Sequence, residues 1–186
     1  HVKILPGISP FIASTEEEAR KLEASFNDLI QPAFSLKQLQ RITGIDLSSA
    51  DLDKPLPKEA VGATRAQGDS SRHQLVLDVI DRENPTIRQL LHRLAGGRGH
   101  KVISGTPEQV ADWIETWFRE GAADGFNIMP PWLNGGFDIF VDEVVPILKR
   151  RGLFREEYEG DTLRDHYGLP RPENIYAARE LQRERA

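Results

Sequence analysis

An amide, a thioether and an indole lie within six positions of one another in the run GFNIMPPW, residues 125–132: Asn127, Met129 and Trp132. A side-chain amide both donates and accepts hydrogen bonds, so Asn127 suits recognition of a substrate oxygen or of the polar edge of a flat ring. Met129 and Trp132 suit the walls of a flat, apolar pocket. The plainer alternative is that Asn127 satisfies a neighbouring backbone group and Met129 simply packs. If this run is a strand, alternation sets Asn127 and Met129 on one face, with Phe126, Ile128 and Pro130 on the other. Phe11, together with Pro6 and Gly7, follows a second strand candidate and is expected to line the same rim. Gly7 serves either a close backbone approach or a turn that ends the strand.

A second motif suits anions. In GGRGH, residues 96–100, consecutive glycines can form a backbone nest. Gly97 would then turn its amide toward a phosphate while Arg98 pairs with it. The same five residues also make a sufficient stop between a helix and a strand, with no ligand. The run GDSSR, residues 68–72, reads either as a lid over the mouth or as a surface insertion.

Other chemistries find no support. The five histidines, His1, His73, His92, His100 and His166, show no ligand spacing with carboxylates, and each is expected at the surface or in a hydrogen bond. The chain contains no cysteine, which excludes a disulfide, a thiolate metal site and a cysteine nucleophile. It also lacks a nucleophile elbow, a Walker loop and a dinucleotide fingerprint. The formal net charge of −5 argues against a nucleic-acid partner, because such proteins present a basic face. No apolar run nears the roughly 20 residues that cross a bilayer, so no membrane partner is expected. The opening HVKILPGISP lacks the basic start and long apolar centre of a signal peptide. A reducing, cytoplasmic setting is the expectation. Met129 is the only methionine, and the chain opens on a strand-like run, as if cut from something longer.

These residues need elements to hold them. Residues 2–5 read as a strand ended by Pro6 and Gly7. Ser14 with Glu17 reads as a capping box opening a helix, whose buried face is Ala19, Leu22, Phe26, Leu29 and Ile30 and which Pro32 ends. Leu36, Leu39 and Ile42 predict a shorter helix stopped at Gly44. From residue 46 to 72 periodicity disappears, which predicts an insertion loop. Helices are expected over 73–82 and 86–94, the second ended by Gly96 and Gly97. Residues 102–103 are extended; Thr106, Pro107 and Gln109 then cap a helix carrying Val110, Trp113, Ile114, Trp117 and Phe118, a stripe read as core. Residues 125–129 form a strand, 137–150 a last helix, and 170–186 a polar tail. Strands separated by helices imply parallel pairing in an α/β architecture. A closed (β/α)8 barrel needs about 250 residues, so these 186 residues are expected to form a single partial domain.

Residues 102–169 resemble the C-terminal end of luciferase-like monooxygenases, in the branch of nitrilotriacetate, dibenzothiophene-sulfone and pristinamycin-type enzymes. The blocks that carry the resemblance are GTPEQVAD (105–112), DGFNIMPP (124–131) and VPILKRRGLFREEYEGDTLRDHYGL (145–169). VKILPG (2–7) followed by TEEEA (15–19) is similar to the family's penultimate strand and its helix. The resemblance implies the C-terminal part of a (β/α)8 TIM barrel with helical insertions, in which residues 2–5 are strand seven and 125–129 strand eight. It further implies reduced FMN (FMNH2) supplied by a separate flavin reductase, oxygen as co-substrate, a small organic substrate, and a homo-oligomer for the full-length enzyme. The FMN would be held mainly by the six earlier strands, leaving this chain inactive alone. The rival expectation is a non-catalytic half-barrel that works only by assembling with another chain.

Overall fold

The computed structural model describes residues 2–56, 70–97, 99–172, 174 and 176. The chain divides into two compact units, His1–Leu148 and Lys149–Ala186. Among the described residues no helix is long and apolar enough to cross a membrane.

The first unit is built on a three-stranded parallel sheet of β1 (Gly7–Ile12), β2 (Lys101–Gly105) and β3 (Asn127–Ile128), in the order β2-β1-β3. Central β1 is buried at all six positions. The strand expected at 2–5 therefore begins later, and Val2 and Ile4 are exposed. Pro6 and Gly7 do not end the ladder; they start it. Only the carbonyl of Pro6 is needed there, and it accepts the Asn127 N–H at 2.9 Å. Gly7 serves the close approach, since a Cβ on it would lie 2.6 Å from His100 Nδ1 and 2.8 Å from Met129 Sδ.

Proline also accounts for the brevity of β3. The carbonyls of Pro6 and Ile8 accept N–H groups from Asn127 and Met129, so even-numbered residues of β1 point their polar groups toward β3. The next such residue is Pro10, which has no N–H to donate. Pairing with β3 stops at Ile8↔Ile128, while pairing with β2 runs on from Ile8↔Lys101 to Ile12↔Gly105.

Helix α1 spans Glu16–Asn27, capped one residue later than expected: the Thr15 hydroxyl accepts the Glu18 N–H at 3.2 Å. Pro32 opens α2 (Pro32–Thr43) at its first turn, where a missing N–H costs nothing. Gly44 closes it at φ +74°, its N–H reaching Gln40 O at 2.7 Å. Helices α3 (Ser70–Glu83) and α4 (Ile87–Gly97) pack with α2 around Leu39, Val76, Ile80, Ile87, Leu90 and Leu91. The first part of the expected insertion loop is anchored in this core by Leu47 and Leu56. The Arg88 guanidinium also grips both carboxylate oxygens of Asp53, at 2.8 and 3.0 Å. Residues 57–69 lie outside the described residues, so GDSSR is described only from Ser70, within α3.

Helix α5 (Pro107–Arg119) carries the expected capping box: Thr106 Oγ1 accepts the Gln109 N–H and Gln109 Oε1 accepts the Thr106 N–H. Its stripe divides, however. Val110, Ala111 and Ile114 are buried, Trp113 and Trp117 are half-buried, and Phe118 is exposed. The expected helix over 137–150 is interrupted: α6 (Gly136–Ile139) passes into a π-helical turn (Phe140–Val144) before α7 (Val145–Arg150). The widened turn lies just ahead of Pro146, whose ring collides with the carbonyl four residues back in a regular α-helix.

Among its described residues the second unit holds a short helix, α8 (Leu163–His166), capped reciprocally by Thr162 and Asp165. The Tyr158 ring packs on His166 with centroids 4.6 Å apart, and Arg155 lies over the same tyrosine at 5.6 Å.

Candidate functional site

The stagger of the sheet makes a step. β3 ends at Ile128, level with Ile8, and β2 starts at Lys101 on the same level. A cavity of about 560 Å³ occupies this step. Asn127 and Met129 line it from β3, level with the first residues of β1, so the cavity lies at the N-terminal end of the parallel sheet, opposite the end at which barrel enzymes place their chemistry. Leu5 and Pro6 line it from the segment before β1, Gly7 and Ile8 from the start of β1, Gly99 and His100 from the turn before β2, and Lys101 from its first residue. Trp113 and Trp117 close the wall from α5, stacked with centroids 4.5 Å apart.

Asn127 donates its side-chain N–H to Leu5 O at 2.9 Å, which ties β3 to the segment leading into β1. Its amide thus satisfies a neighbouring backbone group and lines the cavity at once. Asp124 reinforces the same junction. Its carboxylate accepts the Ile4 N–H at 2.8 Å and the Lys3 ammonium at 3.2 Å. Those bonds, first the backbone one, hold its carboxyl below the usual carboxylate range.

Phe11 and Trp132 lie elsewhere. Phe11 is four residues beyond Gly7 on β1, roughly 13 Å along the strand at about 3.3 Å per residue. Its ring meets Phe26 of α1 at 5.5 Å and Trp132 at 6.3 Å, and Phe26 stacks on Trp132 at 5.2 Å. Trp132 also rests on Gly136, where a Cβ would come within 2.9 Å of the indole. Neither Phe11 nor Trp132 lines the cavity.

The GGRGH motif behaves as a helix stop. α4 ends at Gly97, whose carbonyl accepts the His100 N–H at 2.7 Å, and Gly99 adopts φ +93°. Gly97 is buried with its Cα against Val102, a Cβ there falling 3.0 Å from Cγ2. It also sits at the carbonyl end of the helix, where the dipole disfavours an anion. Arg98 lies outside the described residues. Among the described residues no cluster of three His, Asp or Glu side chains is placed to hold a metal ion.

Sequence reasoning passed over Lys101 and assigned Trp113 and Trp117 to the core. The signal was the length of the α5 stripe: five apolar residues span more of the helix than the sheet below can cover.

No family model matches the chain. Individual proteins do. It is 51% identical to N-acetyl-S-(2-succino)cysteine monooxygenase of Bacillus subtilis over 95% of its length, and 48% identical to nitrilotriacetate monooxygenase component A of Aminobacter aminovorans, also over 95%. The chain belongs to the luciferase-like flavin-dependent monooxygenase family. It spans about 40% of the length of the curated relatives it matches. Among solved structures, EDTA monooxygenase from Chelativorans superposes with a TM-score of 0.61 at 36% identity, covering 91% of this chain and 39% of that one. Riboflavin lyase superposes at 0.66 with 27% identity, covering 89% and 35%. As a segment of a luciferase-like monooxygenase, the chain fits one part of a flavin and not another. The Trp113–Trp117 wall, Met129 and the Asn127 amide suit a planar ring with a polar edge. For the phosphate, Gly97 is the described candidate, and both its packing and its helix end oppose one.

Proposed function

We propose that this chain belongs to a two-component monooxygenase in which FMNH2 from a separate flavin reductase, together with oxygen, oxygenates a small organic substrate. The observation that carries this reading is the 51% identity to a named monooxygenase over 95% of the chain. Bound reduced flavin would supply the activated oxygen. This chain would contribute the C-terminal ends of β1 and β2, the end at which a barrel carries its chemistry, while Trp113, Trp117 and Met129 line an open groove at the opposite end and Asn127 ties β3 to the segment before β1. Phe11 and Trp132 are proposed to hold the loop after β3 rather than to touch substrate, since their rings are engaged with Phe26 and Gly136.

The sheet is proposed as the C-terminal part of a (β/α)8 barrel, a reading supported by the superposition on EDTA monooxygenase; because β2 lies between them in sequence, β1 and β3 are not its consecutive strands seven and eight. The substrate is proposed to be a polycarboxylate, because three relatives are named for nitrilotriacetate, EDTA and N-acetyl-S-(2-succino)cysteine, each bearing several carboxylates. The phosphate grip would belong to chain outside these residues. The test is anaerobic titration of the complete protein with FMNH2, followed by admission of oxygen and a polycarboxylate. Saturable flavin binding and substrate-dependent oxidation are expected; a complete protein that binds no reduced flavin would overturn the reading.

A further inference from the structure

At the C-terminal end of the sheet β1 and β2 finish on one level, Ile12 opposite Gly105, and the Ala13 N–H still reaches the Gly105 carbonyl at 3.3 Å. Each strand then turns directly into a helix, through residues 13–15 into α1 and through Thr106 into α5. Both turns lie at the end where a barrel carries its chemistry. One side chain joins them. Gln109 Oε1 accepts the Thr106 N–H at 2.9 Å, and Gln109 Nε2 donates to Glu16 Oε2 at 2.9 Å, across 93 positions of sequence. Gly105 makes the room, since a Cβ there would lie 2.7 Å from Gln109 Oε1. Farther along α1, Glu23 accepts the Ser104 hydroxyl at 2.5 Å. That bond is a second hold of α1 on β2, so the Gln109 bridge governs the first turn of the helix.

The residue type matters here. A capping box takes Glu or Gln at this position, but at neutral pH only an amide can accept from Thr106 and donate to a carboxylate together. Glu16 is that carboxylate. The Gln109 N–H, ahead of the Arg20 guanidinium, holds its carboxyl below the usual range. Arg20 pairs with Glu16 from the following turn. The other charged groups of the two first turns are Glu17, Glu18 and Glu108, all acidic.

We infer that Gln109 is a positioning residue of the oxygenase: by tying the first turn of α5 to that of α1, it fixes the spacing of the two strand-to-helix turns at the reacting end. The inference rests on the proposed oxygenase reading and deepens it.

The test uses the complete protein and Gln109→Glu, which keeps the cap and sets two carboxylates against each other. At neutral pH, hydrogen exchange should quicken in residues 13–18 and 105–109 and leave the rest of β1 and β2 protected. The kcat/KM for whichever of nitrilotriacetate and N-acetyl-S-(2-succino)cysteine is turned over faster should fall at least about fivefold. Both changes should fade as pH falls and one of the paired carboxyls takes up a proton. The swapped pair, Glu16→Gln with Gln109→Glu, should restore wild-type values, because the amide then sits on the other helix. Glu16→Ala removes the bridge without adding charge and should give a smaller loss of the same kind. Unchanged local exchange, quickened exchange with unchanged kcat/KM, a loss independent of pH, or a swapped pair that stays impaired would overturn the inference. Failure of the oxygenase reading shows separately, as a wild-type protein that binds no reduced flavin.

Discussion

At the residue scale, Gly7 carries the heaviest constraint in the site. Its bare Cα lets His100 and Met129 lie directly over β1. Gly7→Ala would push a methyl into both, and because both side chains are exposed they can swing aside. The expected cost in stability is therefore small, about 1 kcal/mol. Thermal melts of the wild type and Gly7→Ala check this. Asp124 makes a prediction about pH. Its carboxyl is held below the usual range by Ile4 N–H and Lys3, so the charged form contributes stability at neutral pH. That contribution is present above the ordinary carboxylate value and is lost as pH falls through the lowered folded value. Melts of the wild type and Asp124→Asn should thus differ most near pH 7 and converge at strongly acid pH. A difference that grows on acidification would contradict the assignment.

At the scale of elements, local chemistry was legible and pairing was not. The capping box at Thr106 and Gln109 could be read directly, because both partners lie within four residues of each other. Thr106→Ala should cost about 1 kcal/mol, read by denaturant titration. The strand before Gly7 was misplaced for the opposite reason. Pro6 and Gly7 carry local signals of a strand end, yet the ladder depends on where residues 101 and 127 arrive. The Trp113–Trp117 wall was hidden too, since helical spacing marks a face as apolar without telling core from cavity. The Pro146 π-turn was readable in principle: a proline ten residues into a helical pattern forecasts a distortion. The helices α2, α3 and α4 form a core of their own around Leu90. Leu90→Ala should cost about 3 kcal/mol, and hydrogen exchange should then quicken in those helices while β1 stays protected.

At the scale of the whole molecule, a parallel sheet that has three strands among the described residues is an unusual thing to stand alone, because parallel sheets are normally covered on both faces and continued at the edges. The chain's matches to about 40% of longer monooxygenases are consistent with a sheet that forms part of a barrel. The α/β class was visible because strands alternate with helices, and the family because blocks resembling it follow one another in order along most of the chain; the position of the cavity was not, because it arises from the step between β2 and β3. The account's central claim is an oxygen transfer from O2. The direct measurement is turnover of the complete protein with flavin reductase, NADH, FMN and a polycarboxylate under 18O2, with the product analysed by mass spectrometry. One 18O atom per oxidised product, dependent on the reductase, is the predicted result; a product that takes its oxygen from water, or forms without flavin, would contradict it.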